Sequence, residues 1–236
     1  MFEDLKAFLG CPCTELPAGT PVEKIMEAYQ SAKARSIKEG FVPLLISAAD
    51  WEEDVDIPRK TSPSAYLKQL QATEVPEGKA FFQQRTSYWK EEAEGDSWPD
   101  EAVLSPMEGG EAIHHFLGIA NYQGKTIPLV LAEIPAEHPW EVFAWMPFGG
   151  WNECPSDGEH IAAAKYWYKK YGAVPAVITR DVLEYDLSAP VKREEAMELA
   201  MEQYAFCPDI VDQGCESVGY LADSLSKSTK WFFWWD

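Results

Sequence analysis

Residues 156–187, SDGEHIAAAKYWYKKYGAVPAVITRDVLEYDL, carry a helix followed by two strands, and that order decides the fold class. Ser156 and Glu159 stand three apart at the start, the spacing of a capping box, in which a hydroxyl and a carboxylate satisfy the free amides of a helix start. The helix is predicted to run from there to Gly172, whose tolerance of left-handed backbone makes it a stop signal. Ile161, Ala164, Tyr168 and Tyr171 would share one of its faces. Val174 to Thr179 is an apolar strand. Val182 to Leu187 alternates Leu183, Tyr185 and Leu187 with Glu184 and Asp186, which predicts a half-exposed strand.

Working outward, residues 127–134 and Trp140 to Met146 read as two strands, with Pro135 to Pro139 between them as a hairpin connection. Residues 192–206 are predicted helical, with Glu194 and Glu195 placed in the first turn, where the helix dipole favours negative charge. Glu216 to Ser226 is a short helix. Trp231 to Trp235 is a strand apolar at every position, which predicts cover on both faces. Upstream, Thr20-Pro21 opens a helix that Gly40 stops, a strand follows at residues 41–46, and Thr61 to Gln71 is helical. Between the two halves, residues 91–111 hold eight acidic residues and no Lys or Arg, the composition of a solvated loop. The chain therefore divides into an α/β region at 1–90, an acidic linker at 91–124 and a C-terminal domain at 125–236. The expected class is α/β or α+β, a mixed sheet flanked by helices.

Three blocks of the C-terminal part carry a family resemblance: GGWNECP at residues 149–155, EQYAFCPDIVDQG at 202–214 and WFFWWD at 231–236. With these motifs in this order, residues 128–236 resemble the bacterial family called domain of unknown function 4253. The resemblance implies a shared fold and assigns no activity.

The formal net charge of −19 excludes an ordinary nucleic-acid binder, because phosphate contacts need clustered Lys and Arg. It suits either a basic protein partner, drawn by long-range attraction, or simple solubility. No apolar run approaches the ~20 residues that cross a bilayer. The start of the sequence lacks the basic and apolar regions of a signal peptide, so a cytoplasmic location is expected. Five cysteines in such a chain are expected to be thiols. The Cys11-Pro12-Cys13 pair has no second pair at zinc-ligand spacing, so neither metal nor cofactor is called for.

The candidate site residues lie in loops between the C-terminal elements. Cys154 precedes the helix opened by Ser156, a position that stabilises a thiolate, and His160 could act as its base. The plain reading makes Cys154 a small packed hydrophobe and His160 a surface residue. Asp209 and Asp212 could share acid and base roles, or cap local turns through their side chains. Trp151, beside two glycines, either plugs the core or greets a ligand. Counting strand directions brings three loops to one rim, so Trp151, Glu153, Cys154, Arg180, Asp181, Asp209, Asp212 and Gln213 are expected to line a common cleft. No nucleotide-binding loop or G-x-S-x-G elbow is present. The reading that follows is a binding module for a basic protein or a small ligand, a toxin-neutralising inhibitor being one form. The alternative is a hydrolase built on the Glu153, Cys154, Asp209 and Asp212 group.

Overall fold

The computed structural model of the protein describes residues 1–49, 51–52, 61–93 and 98–236. Six strands form one mixed sheet: β1 (Cys13–Leu16), β2 (Val42–Ser47), β3 (Leu129–Ile134), β4 (Val174–Ile178), β5 (Val182–Asp186) and β6 (Lys230–Trp234). Their order across the sheet is β1-β3-β2-β4-β5-β6, and β2–β4 is a parallel pair while the other four pairings are antiparallel. Strands from both sides of the acidic segment thus share a single sheet. Within the stretch read as an acidic linker, Gly110, Phe116 and Ile119 are buried while most residues around them are exposed. The Gly110 amide donates to Asp223 at 2.9 Å, and a Cβ on Gly110 would come within 2.2 Å of the Ser224 nitrogen. Residues 94–97 of that segment lie outside the described residues.

Helices cover both faces of the sheet. On one side α2 (Val22–Glu39) lays Ile25, Tyr29 and Ala32 over Leu45, Leu131 and Val177, and Phe116 and Ile119 extend the cover. The other side carries α1 (Phe2–Leu9), α4 (Lys79–Glu92), α5 (Asp157–Tyr171), α6 (Arg193–Phe206) and α7 (Val218–Leu225), packed over Ile46, Leu183, Tyr185, Trp231 and Phe233. The sequence's α3 (Pro63–Gln71) begins at a Ser62 cap whose hydroxyl accepts from the Ala65 amide. Burying large aromatics on this scale is the main source of stability, because apolar area removed from water is worth about 25 cal/mol per Å².

Four expectations about these elements need correction. Trp140 to Met146 is not a strand, and no hairpin precedes it. Pro139–Ala144 forms a short 3-10 helix, because Pro139 suits its first turn and the Glu141 carboxylate accepts from the amides of Glu137 and His138, both at 3.1 Å. The buried face of α5 is His160, Ala163, Ala164 and Trp167, whereas Tyr168 is 38% exposed. And β5 is buried along its whole length: the face carrying Glu184 and Asp186 lies beneath α2 and the 113–119 loop. β6 is covered more on one face than the other, with Trp231 and Phe233 buried and Phe232 and Trp234 half-buried.

Candidate functional site

β4 and β6 each run antiparallel to β5 and so end at the same edge of the sheet. The turn after β4 places Arg180 and Asp181 there, and β6 delivers Trp234, Trp235 and Asp236 to the same place. A third loop, Gly149 to Pro155, reaches this edge by a compact turn. Gly149 and Gly150 adopt φ of 95° and 82°, and Asn152 is left-handed at 45°, conformations that non-glycine residues other than Asn and Asp rarely accept. A Cβ on Gly149 would meet the Pro155 carbonyl at 2.0 Å, so only glycine fits there. The chain folds back on itself, the Gly150 amide reaching the Pro155 carbonyl at 3.1 Å and the Cys154 amide reaching the Trp151 carbonyl at 2.9 Å.

These loops are tied together through the last residue of β6's extension. Asn152 Nδ2 donates to the Asp236 carbonyl at 2.6 Å, and the Asp236 amide donates to Asp209 Oδ2 at 3.0 Å. Trp234 Nε1 donates to Asp181 Oδ2 at 3.1 Å, and the Trp235 amide donates to the Asp181 carbonyl at 3.1 Å. The result is a recess of about 580 Å³ lined by Trp151, Asn152, Arg180, Asp181, Trp234, Trp235 and Asp236. Trp151 is half-buried, its ring set edge-on to Phe148 at 5.9 Å, so it is both a partial plug and a wall of the recess.

The other expected residues are placed around this recess rather than in its wall. Asp209 stands behind it, bonded to Asp236 on one side and to Gln213 Nε2 at 2.9 Å on the other. Asp212 turns toward α6, accepting from the Tyr204 hydroxyl at 2.6 Å, and burial raises its pKa above the ordinary carboxylate value. It therefore does not face Asp209 across a shared metal position. The Glu153 carbonyl accepts from Arg85 Nη2 at 2.9 Å, and Arg85 also reaches the Ala205 carbonyl at 3.3 Å. Arg85 belongs to α4, far upstream in the chain. It pins two of the C-terminal motifs to one another, a role with no local sequence signal because three backbone carbonyls, not a charged partner, receive it.

Cys154 lies beneath the recess floor, 5% exposed, with its sulfur 3.6 Å from His160 Nε2. His160 is fully buried, not a surface residue, and is enclosed by the rings of Phe143, Phe148, Phe206 and Trp235. Desolvation by this apolar cage, aided by the nearby Arg85 charge, pushes its pKa down to about 3. The contact that sequence spacing suggested is present, but it joins a packed thiol to an imidazole held neutral. Among the described residues no group of three or more His, Cys, Asp or Glu side chains is placed to hold a metal ion. None of their helices is long and apolar enough to cross a membrane.

Residues 130–236 match the family described as domain of unknown function (DUF4253). The match spans the 149–155 turn, the 202–214 segment and β6, so the resemblance read from those motifs holds over the part of the chain that builds the recess. No curated protein and no solved structure matches the chain. Within the DUF4253-like part, Asn152, Trp234, Trp235 and Asp236 are recess residues that were not among the candidates. Asn152 lies in the GGWNECP turn and the other three in the WFFWWD block, which reads first as core.

Proposed function

We propose that the protein is a binding module of the bacterial cytosol whose rim recess receives a basic side chain of a partner protein. The observation that supports this is the lining of the recess: the indoles of Trp151 and Trp234 beside the carboxylates of Asp181 and Asp236, which outnumber its cationic residue Arg180, on a chain of net charge −19. Indole faces and carboxylates together suit a guanidinium or ammonium group, by cation–π attraction and charge-assisted hydrogen bonding. The overall negative charge would speed the encounter with a basic partner. Neutralisation of a basic toxin is the form of this function that the charge favours.

The competing reading, a hydrolase built on the Glu153, Cys154, Asp209 and Asp212 group, would need His160 as the base for Cys154. Two features weigh against it: the sulfur is almost fully covered, and an imidazole with a pKa near 3 is a poor base at neutral pH.

The test is titration with a short arginine-rich peptide, followed by NMR of the indole N–H resonances. Saturable shifts at Trp151 and Trp234 that weaken with added salt, and that vanish in a folded Trp151→Ala, Asp181→Asn double variant, are expected. Unmoved indole resonances, or shifts that persist in the double variant, would refute this assignment of the recess.

A further inference from the structure

A second, smaller cavity lies at the open edge of β6, and it does not depend on the rim reading. It encloses about 200 Å³ between β6, the end of α6, the turn at Ile210–Cys215 and α7. Its walls are mainly apolar, among them Ile210, Leu221, Leu225 and Phe232. The Ile210–Cys215 turn is π-helical, a geometry that occurs often at functional sites.

Two of the lining residues are polar in an unusual way. Gln203 and Trp231 are each 1% exposed, and neither Gln203 Nε2 nor Trp231 Nε1 has a hydrogen-bond partner among the described residues. Buried donors are nearly always answered, by protein, by water or by a ligand. Here two of them belong to residues bordering one cavity, one on α6 and one on β6.

We infer that this cavity binds a small, neutral, largely apolar molecule carrying one carbonyl acceptor, which the Gln203 amide and the Trp231 indole N–H would recognise. Size follows from comparison: an apolar cavity of about 150 Å³ accepts benzene, so this one suits a single ring with a short polar substituent. Neutrality follows from the surroundings. Two charged residues border the cavity: the Lys230 ammonium is committed to Asp186 at 2.8 Å, so an anion beside Asp209 in this apolar enclosure would lose its hydration and meet a like charge. A purely apolar ring would leave both donors unanswered.

Acetophenone, benzene and benzoate separate these cases. In the full-length protein, acetophenone is expected to shift the Trp231 indole N–H (assigned with Trp231→Phe) and the Gln203 side-chain amide saturably. Its affinity should exceed that of benzene and of benzoate by tenfold or more. Gln203→Leu should bring acetophenone down toward benzene, and Leu221→Trp should fill the cavity and abolish binding of both. Should either variant fail to fold, the comparison of the three probes on the unmodified protein still decides. Absence of any saturable shift at Trp231 and Gln203, with only water contacts seen at the indole N–H, overturns the proposal. So does equal binding of the three probes.

Discussion

The Asp186 carboxylate and the Lys230 ammonium, registered opposite each other on β5 and β6, lie 2.8 Å apart with side chains only 1% and 4% exposed. Asp186 also accepts from Lys33 of α2 at 2.6 Å, and the Lys230 ammonium sits 5.3 Å from the centre of the Phe116 ring. A charge taken from water on this scale stays buried only if it is paired, and removal of one partner leaves the other uncompensated. Asp186→Ala is therefore expected to lower stability by about 3–5 kcal/mol, the usual loss on breaking a buried pair. Lys33→Met should cost far less, because the Lys33 side chain is 38% exposed. Urea unfolding of the two variants checks this, and equal losses would show that Lys230 does not depend on Asp186.

The cage around His160 makes stability depend on pH. An imidazole whose pKa falls from 6.5 unfolded to about 3 folded contributes stability that is complete above pH 6.5 and lost progressively as pH falls from there toward 3. The stability of the parent protein relative to His160→Phe should fall by about 1.4 kcal/mol per pH unit below 6.5. Unfolding measured from pH 7.5 to 4.5 on both proteins tests it, and parallel pH profiles would show that His160 does not titrate alone on unfolding.

None of the five cysteines is in a disulfide, so thiol titration of denatured, unreduced protein should count five. In the native protein the order of reaction follows exposure and thiolate character. Cys13 is expected to be alkylated first: the neighbouring Cys11 thiol and then the Lys6 charge lower its pKa, and it is only half-buried. Cys154 and Cys207, both buried, should react last, and burial pushes the Cys207 thiol up. Mass mapping after sub-stoichiometric alkylation would contradict this if Cys154 carried the label.

Deleting residues 231–236 should abolish the cooperative melt. The deletion removes Trp231, Phe233 and Trp235, each at most 1% exposed, and each such side chain is worth about 1.5–3 kcal/mol of burial. A domain's whole stability is typically about 5–15 kcal/mol. A truncated protein that melted near the parent temperature would make β6 dispensable.

Much of this was legible because its signals are local. The Ser156–Glu159 box, the Gly172 stop and the apolar runs at 174–179 and 231–235 each need only a few adjacent residues, and the structure places α5, β4 and β6 within a residue of where they point. Strand directions place Arg180, Asp181 and the end of β6 at one edge, whereas the count that put the 149–155 loop there ran through a strand at 140–146 that is a 3-10 helix. There the same apolar string satisfies either period, and the Glu141 cap decided between them.

By themselves, then, caps, stops and period in the sequence mark α5, β4, β5 and β6, but not the 3-10 helix at Pro139–Ala144. Only the tertiary structure decided which faces are covered. Glu184 and Asp186 alternate with apolar residues like any solvent-facing pair, yet Leu117 and Gly118 amides meet Glu184 at 2.8 and 3.0 Å, and burial pushes its pKa up to about 8. Tyr29, 157 residues away in the chain, reaches Asp186. A polar side chain in a strand looks the same whether water or a distant amide answers it, because the free energy of that choice depends on groups brought near only by folding.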